Sequence, residues 1–164
     1  MNMKAMTLTF AVVFALLSSL MIGTPAFANS DRIVGVWNVT EEILTGCPTG
    51  DVARTSPDLV MFTRGGDLIE TPGALSVGQE PIRRTSPGLG SWEHAGGRHF
   101  TIEFRFFRYN DADDTPAGVH VIKKNIELSR DGDEFTSTGT ADIFDATGAF
   151  VTTRCTAGSA TRIK

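Results

Sequence analysis

The stretch SWEHAGGRHFTIEFRFFRY, residues 91–109, decides the fold class of this chain. Its second half carries an apolar side chain at every other position: Phe100, Ile102, Phe104 and Phe106. Polar residues occupy most of the positions between them, and this repeat of two is typical of a β-strand with one buried face. Two consecutive glycines precede the strand and supply the backbone conformations that a tight turn requires. The stretch is therefore predicted to be a β-hairpin.

The same alternation recurs through the chain after residue 28, where no segment has the three-and-four spacing of an amphipathic helix. Eight strands are predicted: Ile33–Glu42, Leu59–Thr63, Asp67–Thr71, Ser91–Ala95, Arg98–Tyr109, Val119–Ser129, Glu134–Asp145 and Phe150–Ile163. Short glycine-containing connections indicate antiparallel pairing of neighbours, and closure removes both exposed edges of such a meander. The predicted fold is all-β, a single eight-stranded antiparallel meander barrel.

Residues 1–28 have the pattern of a secretory signal peptide. Lys4 supplies a positive charge, a long apolar run follows it, and an A-x-A cleavage motif ends at Ala28. We expect cleavage near Ala28, which leaves a barrel domain of residues 29–164 without a membrane span. The mature protein is expected to be secreted or periplasmic.

Both cysteines of the chain, Cys47 and Cys155, lie in the part that is expected to be exported. An oxidising compartment lets thiols pair, and two cysteines have one possible connectivity. We predict a disulfide between Cys47 and Cys155, which would tie the region after the first strand to the last strand and close the barrel. Two buried free thiols are the alternative.

Two registers are open for the opening hairpin, and they differ by one residue in the turn. A two-residue turn would expose Trp92 and bury Glu93. A three-residue turn that begins at Ala95 would bury Trp92 opposite Phe100 and leave Glu93 outside, opposite His99. We favour the three-residue turn because it keeps the charged side chain in water.

Two later strands bear on the interior of the predicted barrel. The more apolar face of strand 119–129 also carries His120 and Lys124, which are therefore predicted to point inward. The inward residues of strand 134–145 are mostly small, for example Ser137 and Gly139, and they would leave space inside the barrel. Larger side chains from the opposite wall could instead fill that space.

Aromatic side chains beside free space suit a small, largely apolar ligand. The residues predicted to line the ligand site are Trp92, His94, Phe100, Ile102, Phe104, Phe106 and His120. The leading functional prediction is an exported barrel that binds a small apolar molecule in its interior.

Two other functions remain open. The first is an isomerase or cyclase that uses the same interior, with His94 and His120 as candidate general acid or base and no catalytic residue assigned. The second is a secreted interaction module with a solid core. Convergence of two titratable groups in the interior would favour the enzyme, whereas an apolar cavity with one polar group would favour the binding protein.

The remaining features argue against several classes of protein. The formal net charge is −4 without a basic run, so nucleic acid is not an expected partner. The three histidines lack metal-ligand spacing, and no serine lies in a nucleophile motif. Neither a metal nor a cofactor is predicted, and the oligomeric state is not assigned.

Gly35-Val36-Trp37, at the start of the first long strand, resembles the G-x-W motif of lipocalins and the wider calycin group. The resemblance implies a small barrel in which the tryptophan closes one end and an arginine of the last strand packs across it. That role would fall to Arg154 or Arg162. A small barrel like that of allene oxide cyclases is equally compatible with the predicted strands.

Overall fold

A computed structural model describes residues 31–73, 85–110 and 112–164 of the chain. The predicted signal peptide, residues 1–28, lies outside the described residues. A 3₁₀ turn over Asp31–Ile33 precedes eight strands: β1 Gly35–Leu44, β2 Val52–Phe62, β3 Asp67–Pro72, β4 Gly88–Gly96, β5 His99–Tyr109, β6 Pro116–Leu128, β7 Glu134–Phe144 and β8 Phe150–Arg162. Within these ranges, no helix has the length and apolar character needed to cross a membrane.

The eight strands form a closed barrel, as predicted. Each strand pairs antiparallel with its neighbour in sequence, and β1 also pairs with β8, from Trp37 opposite Arg162 to Ile43 opposite Thr156. Closure satisfies the backbone of both outer strands of the meander. The architecture is therefore an all-β, eight-stranded antiparallel barrel.

Three strands are longer than predicted because they begin earlier, and one of them is β6, which begins at Pro116 in place of Val119. β4 begins at Gly88 in place of Ser91, and β2 begins at Val52 and runs through Pro57. The carbonyl oxygen of Pro57 accepts a hydrogen bond of 2.7 Å from the Gly73 backbone N–H, at the end of the β2–β3 ladder. In another residue, the backbone N–H would point to the same side as this carbonyl group, toward β3. The N–H that proline lacks is therefore not needed for the pairing of β2 with β1.

The two ends of the barrel differ in their connections. We call the end at which β1 begins the closed end and the end at which β1 finishes the loop end. The connection 45–51 lies at the loop end and carries Cys47, which forms a disulfide with Cys155 of β8 across a Cα–Cα distance of 5.2 Å. The predicted disulfide is therefore confirmed, and it fastens this connection to the last strand.

The predicted pairing of the β4–β5 hairpin was wrong in detail. Gly96 pairs with His99, and a bulge at Ala95 shifts the register before His94 pairs with Phe100. Glu93 consequently lies opposite a threonine in place of His99. Ala95 is the residue without a partner on β5, and it lies in a bulge within β4 and not in the turn. The predicted faces are nevertheless confirmed, since Trp92 is buried and Glu93 is exposed.

Apolar side chains fill the closed end. The largest fully buried residues of the described chain are Trp37, Phe62, Phe100, Ile33, Leu68, Ile126 and Leu128. Their rings pack at tilted or edge-on angles, with centroid distances of 4.9 Å between Trp37 and Phe135 and 6.4 Å between Phe62 and Trp92. The closed end is therefore a solid apolar core.

Trp37 of the G-x-W motif is held from two sides. Its indole N–H donates a hydrogen bond of 2.9 Å to the carbonyl oxygen of Ile33, and the guanidinium carbon of Arg162 lies 4.2 Å from its ring centre. Gly35 has a φ of 140°, and a Cβ there would lie 2.6 Å from Arg162 Nη1. The motif therefore needs glycine to admit the arginine, and that arginine is Arg162 rather than the exposed Arg154.

Candidate functional site

Three acidic side chains point into the barrel beyond the closed end. Glu41 on β1, Asp58 on β2 and Glu70 on β3 each lie two residues from a buried apolar residue of the same strand, so alternation turns them inward. The strand register places them near one another, because Asp58 pairs with Val39 and Glu70 pairs with Val60. We call these three residues the carboxylate cluster.

Lys124 joins the carboxylate cluster from β6. As predicted, it points inward, and it is 7% exposed. Its ammonium group forms an ion pair with Glu41, although β6 and β1 are not neighbours in the sheet, so the pair crosses the interior. Removal of both charges from water is costly, and their mutual attraction offsets that cost only while both partners are present.

Glycines on β7 and β8 make room for this ion pair. A Cβ at Gly139 would lie 2.7 Å from the Cγ atom of Lys124, and a Cβ at Gly158 would lie 3.0 Å from a carboxylate oxygen of Glu41. The small inward residues of β7 thus do not all leave free space, since a long side chain fills the position above Gly139. It comes from the neighbouring strand β6 and not from the opposite wall.

Glu70 is the most deeply buried member of the carboxylate cluster. The residue is 4% exposed, and its Oε2 atom has no hydrogen-bond partner. A Cβ at Gly88 would meet both this oxygen, at 2.6 Å, and the ring of Phe104, at 2.7 Å, so the carboxyl group lies beside an aromatic wall. Burial and the nearby charge of Asp58 raise the pKa of Glu70 to about 8, against the weaker opposing effect of a hydrogen bond from the Gly88 N–H.

The other two carboxyl groups are perturbed in the same direction. Burial, with the charge of Glu41 as a second cause, raises the pKa of Asp58 to about 7, although Lys124 and a hydrogen bond from the Gly73 N–H act against it. Burial also raises the pKa of Glu41, and the Lys124 charge lowers it in part. At neutral pH the interior therefore holds a protonated acid beside a partly ionised one, which is the pairing that acid–base chemistry uses.

The residues predicted to line a ligand site are distributed along the whole barrel. Trp92 and Phe100 belong to the closed end, where the Trp92 indole N–H donates to the carbonyl oxygen of Thr63 at 2.9 Å. Ile102 and Phe104 are buried further along β5, and Phe106 is partly buried toward the loop end. Their contact with a ligand stays a prediction.

The two candidate catalytic histidines lie far apart. The ring of His94 contacts the ring of Phe100 at 5.1 Å, and the ring of His120 contacts that of Phe106 at 4.9 Å. Six residues of one strand separate these two phenylalanines, which corresponds to roughly 20 Å. Each histidine also has a polar neighbour, Gly97 O for His94 and the Arg108 guanidinium for His120. The two histidines therefore cannot act together on one group, and a catalytic role for either stays a prediction.

The acidic residues of the opening hairpin lie on the outer surface. Glu93 and Glu103 border a shallow depression of about 730 Å³ on the outer face of β4–β7, where Arg105 contacts Glu103 at 3.4 Å. Among the described residues, no group of three or more histidine, cysteine, aspartate or glutamate side chains is arranged to hold a metal ion.

Sequence reasoning found Lys124 but missed the carboxylate cluster. The available pattern was the alternation itself, since Trp37, Val39 and Glu41 occupy every other position of β1. The predicted second strand begins at Leu59, so Asp58 falls just outside it. If the predicted strand is extended back through Pro57, the same alternation places Asp58 on the inward face with Val60.

Comparison with models of protein families and with curated protein sequences gives no match to this chain.

Proposed function

We propose that the barrel binds a small, largely apolar molecule in its interior, with one polar group of that molecule at the carboxylate cluster. The observation that carries the proposal is the Oε2 atom of Glu70, which is buried beside Phe104 without a hydrogen-bond partner. A buried polar atom of this kind lowers stability unless a ligand or a water molecule satisfies it.

An apolar wall near the carboxylate cluster suits the rest of the ligand. Ile102, Phe104 and Ile122 are buried on β5 and β6, and the partly buried rings of Phe106 and His120 continue the wall toward the loop end. These residues support the loop-end part of the predicted ligand-lining set. The remaining members, Trp92, His94 and Phe100, lie at the closed end and are better explained as core and rim.

Native mass spectrometry of the protein from an exporting host, followed by titration with a panel of hydrophobic molecules, tests the binding function. Phe104→Ala and Glu70→Leu are expected to weaken binding about tenfold or more. Leu89→Ala is the control, because Leu89 lies on the outer face and is 64% exposed. The proposal fails if nothing small accompanies the protein and no member of the panel binds.

A second function, isomerisation of a carbonyl compound, is favoured by the pairing of Asp58 with Glu70. Asp58 would take a proton from the carbon next to the carbonyl while Glu70 donates a hydrogen bond to the carbonyl oxygen, and the proton would return to carbon. Exchange of these hydrogens in D₂O, followed by NMR on a ketone, tests it. Loss of exchange in Asp58→Asn supports the enzyme, and absence of exchange in the native protein contradicts it.

We also propose that the protein is exported and is related to the calycin barrels. The Cys47–Cys155 disulfide fits an oxidising compartment. The contact of Arg162 with Trp37, beside Gly35, supports the lipocalin resemblance, and a barrel of the allene oxide cyclase kind stays the alternative. Mass determination of the mature protein secreted by its host tests cleavage near Ala28, and an uncleaved cytoplasmic protein would contradict export.

A further inference from the structure

We infer that Glu70 is a neutral carboxylic acid whose Oε2 hydroxyl donates a hydrogen bond to the carbonyl oxygen of an apolar ligand, so that the ligand is released when Glu70 ionises. This inference rests on the proposed binding of a small molecule in the interior. It specifies the class of ligand, a ketone or aldehyde on an apolar skeleton, and makes its binding dependent on one proton.

The position of Glu70 combines one unsatisfied hydrogen-bonding atom with nearly complete burial. The carboxyl group receives a hydrogen bond from the Gly88 N–H, whereas its Oε2 atom has no partner. Both Oε2 and the Phe104 ring lie within 3 Å of the position that a Cβ of Gly88 would occupy. An ionised carboxylate can only accept hydrogen bonds, whereas a protonated one offers a single donor. A carbonyl oxygen satisfies that donor without adding a charge to an apolar wall.

On balance, the charges that face Glu70 favour its neutral form, because Asp58 and Glu41 raise its pKa whereas Lys124 lowers it. They come from three strands, and the charged groups are Glu41 on β1, Asp58 on β2 and Lys124 on β6. Lys124 is already paired with Glu41, so ionisation of Glu70 would add a negative charge beside Asp58 without its own cation. The strands β4 and β5 present the Gly88 backbone and the Phe104 ring to the carboxyl group.

The pKa of Glu70, raised to about 8 chiefly by burial and next by Asp58, agrees with this geometry. Below that pH the side chain keeps its proton and the donor is present. Above it the donor is replaced by a negative charge that repels a carbonyl oxygen and attracts an ammonium group. Ketones and amines of the same skeleton should therefore respond to pH in opposite directions.

The experiment compares a ketone, an amine and a hydrocarbon on three matched skeletons: one ring, two fused rings and an unbranched ten-carbon chain. Affinities for the full mature chain are measured by calorimetry and ligand-observed NMR at pH 6, 7, 8 and 9. The ketone is expected to bind most tightly at pH 6–7 and to weaken about tenfold between pH 7 and 9, as the protonated fraction falls. Hydrocarbon binding should not depend on pH.

Two substitutions separate the role of the proton from that of shape. Glu70→Gln keeps a donor of similar size that does not titrate, so ketone binding should persist and lose its dependence on pH. Glu70→Leu removes the donor, so the ketone should bind no better than the hydrocarbon. Near-ultraviolet circular dichroism of the buried tryptophans checks that both variants are folded.

The outcomes distinguish the two proposals. Equal binding of ketone and hydrocarbon by the native protein, or ketone binding that is unchanged up to pH 9, overturns the role of Glu70 and leaves the binding function intact. Tighter binding of the amine at every pH also overturns it. Failure of all nine molecules to bind a folded native protein overturns both proposals.

Discussion

The closed end and the carboxylate cluster occupy the same barrel but are stabilised in opposite ways. At the closed end, Trp37 is fully buried among aromatic rings and its single polar atom is hydrogen-bonded. At the carboxylate cluster, Glu70 is almost as deeply buried, yet one of its oxygens has no partner and its pKa is raised to about 8. Burial alone does not distinguish the two regions. They differ in whether their buried polar atoms have hydrogen-bond partners.

This difference supports the proposal that the closed end is structural and that the carboxylate cluster is the functional part of the interior. Apolar packing contributes stability without any ligand. Buried carboxyl groups with raised pKa values reduce stability at neutral pH, because the protein must keep them protonated or leave them charged in an apolar place. Groups that are kept at such a cost are characteristic of ligand and catalytic sites.

The largest expected effect comes from removal of the disulfide that secures the loop end. It joins residues 108 positions apart, and Cys47→Ser with Cys155→Ser should lower the free energy of unfolding by about 4 to 5 kcal/mol. Urea denaturation at pH 7 measures the change. A loss below about 1 kcal/mol would mean that closure of the sheet already supplies the constraint.

Trp37→Ala tests how much the packing of the closed end contributes to stability. It removes the largest buried side chain there and its contact with Arg162, and it should cost about 3 to 4 kcal/mol. Val36→Ala is the matched control, because Val36 directly precedes Trp37 in β1 and is 38% exposed. The control should change the free energy of unfolding by roughly 0.5 kcal/mol or less. Similar losses in both variants would contradict the packing difference between the two faces.

Lys124→Met breaks the ion pair that crosses the interior and leaves Glu41 without its cation. The expected loss is about 3 kcal/mol at pH 8, and it should shrink at pH 5 because the raised pKa of Glu41 lets the carboxyl group become neutral. The double variant Glu41→Leu with Lys124→Met should lie within about 1 kcal/mol of the native protein. Equal losses in the single and double variants would contradict the pairing.

The smallest effect, taken per pH unit, is the pH dependence of the native protein. The folded-state pKa of Glu70 lies above its ordinary value of 4.5, so the folded protein binds the proton more tightly than the unfolded chain. The free energy of unfolding should therefore fall as pH rises from about 4.5 to about 8, by up to about 1.4 kcal/mol per pH unit for each such group. Asp58, whose pKa is raised to about 7, contributes to the fall in the same direction. Urea denaturation at intervals of one pH unit measures the slope.

Glu70→Gln should reduce that slope, above all between about pH 7 and 8, and raise stability at pH 8, while the part that comes from Asp58 at lower pH remains. Glu93→Gln on the outer face should leave the whole slope in place. The turn residues Asp113, Asp131 and Asp145 do not interfere in this range. Hydrogen bonds within their turns lower their pKa values, so the stability that they contribute is lost only as pH falls below about 4. An unchanged slope in Glu70→Gln would place the responsible proton elsewhere.

Local pattern was enough to predict the barrel and several of its inward residues. Alternation turned Phe104 and Lys124 inward, and the even count of cysteines gave the disulfide. It was not enough for Asp58, because a proline within a strand is tolerated only where the missing donor falls at the end of a ladder. That condition depends on where β3 ends, which is not encoded within β2.

The sequence by itself determined an antiparallel meander. Apolar residues at every other position indicate strands with one buried face, and short glycine turns make each strand run antiparallel to the one before it. Tertiary structure alone decided the choice of Arg162 over Arg154 and the contact between Lys124 and Glu41. Residues 83 positions apart on strands that do not pair meet only after the sheet has closed. The same closure brings Asp58 and Glu70 to one side of the interior and excludes the water that would otherwise keep their pKa values ordinary.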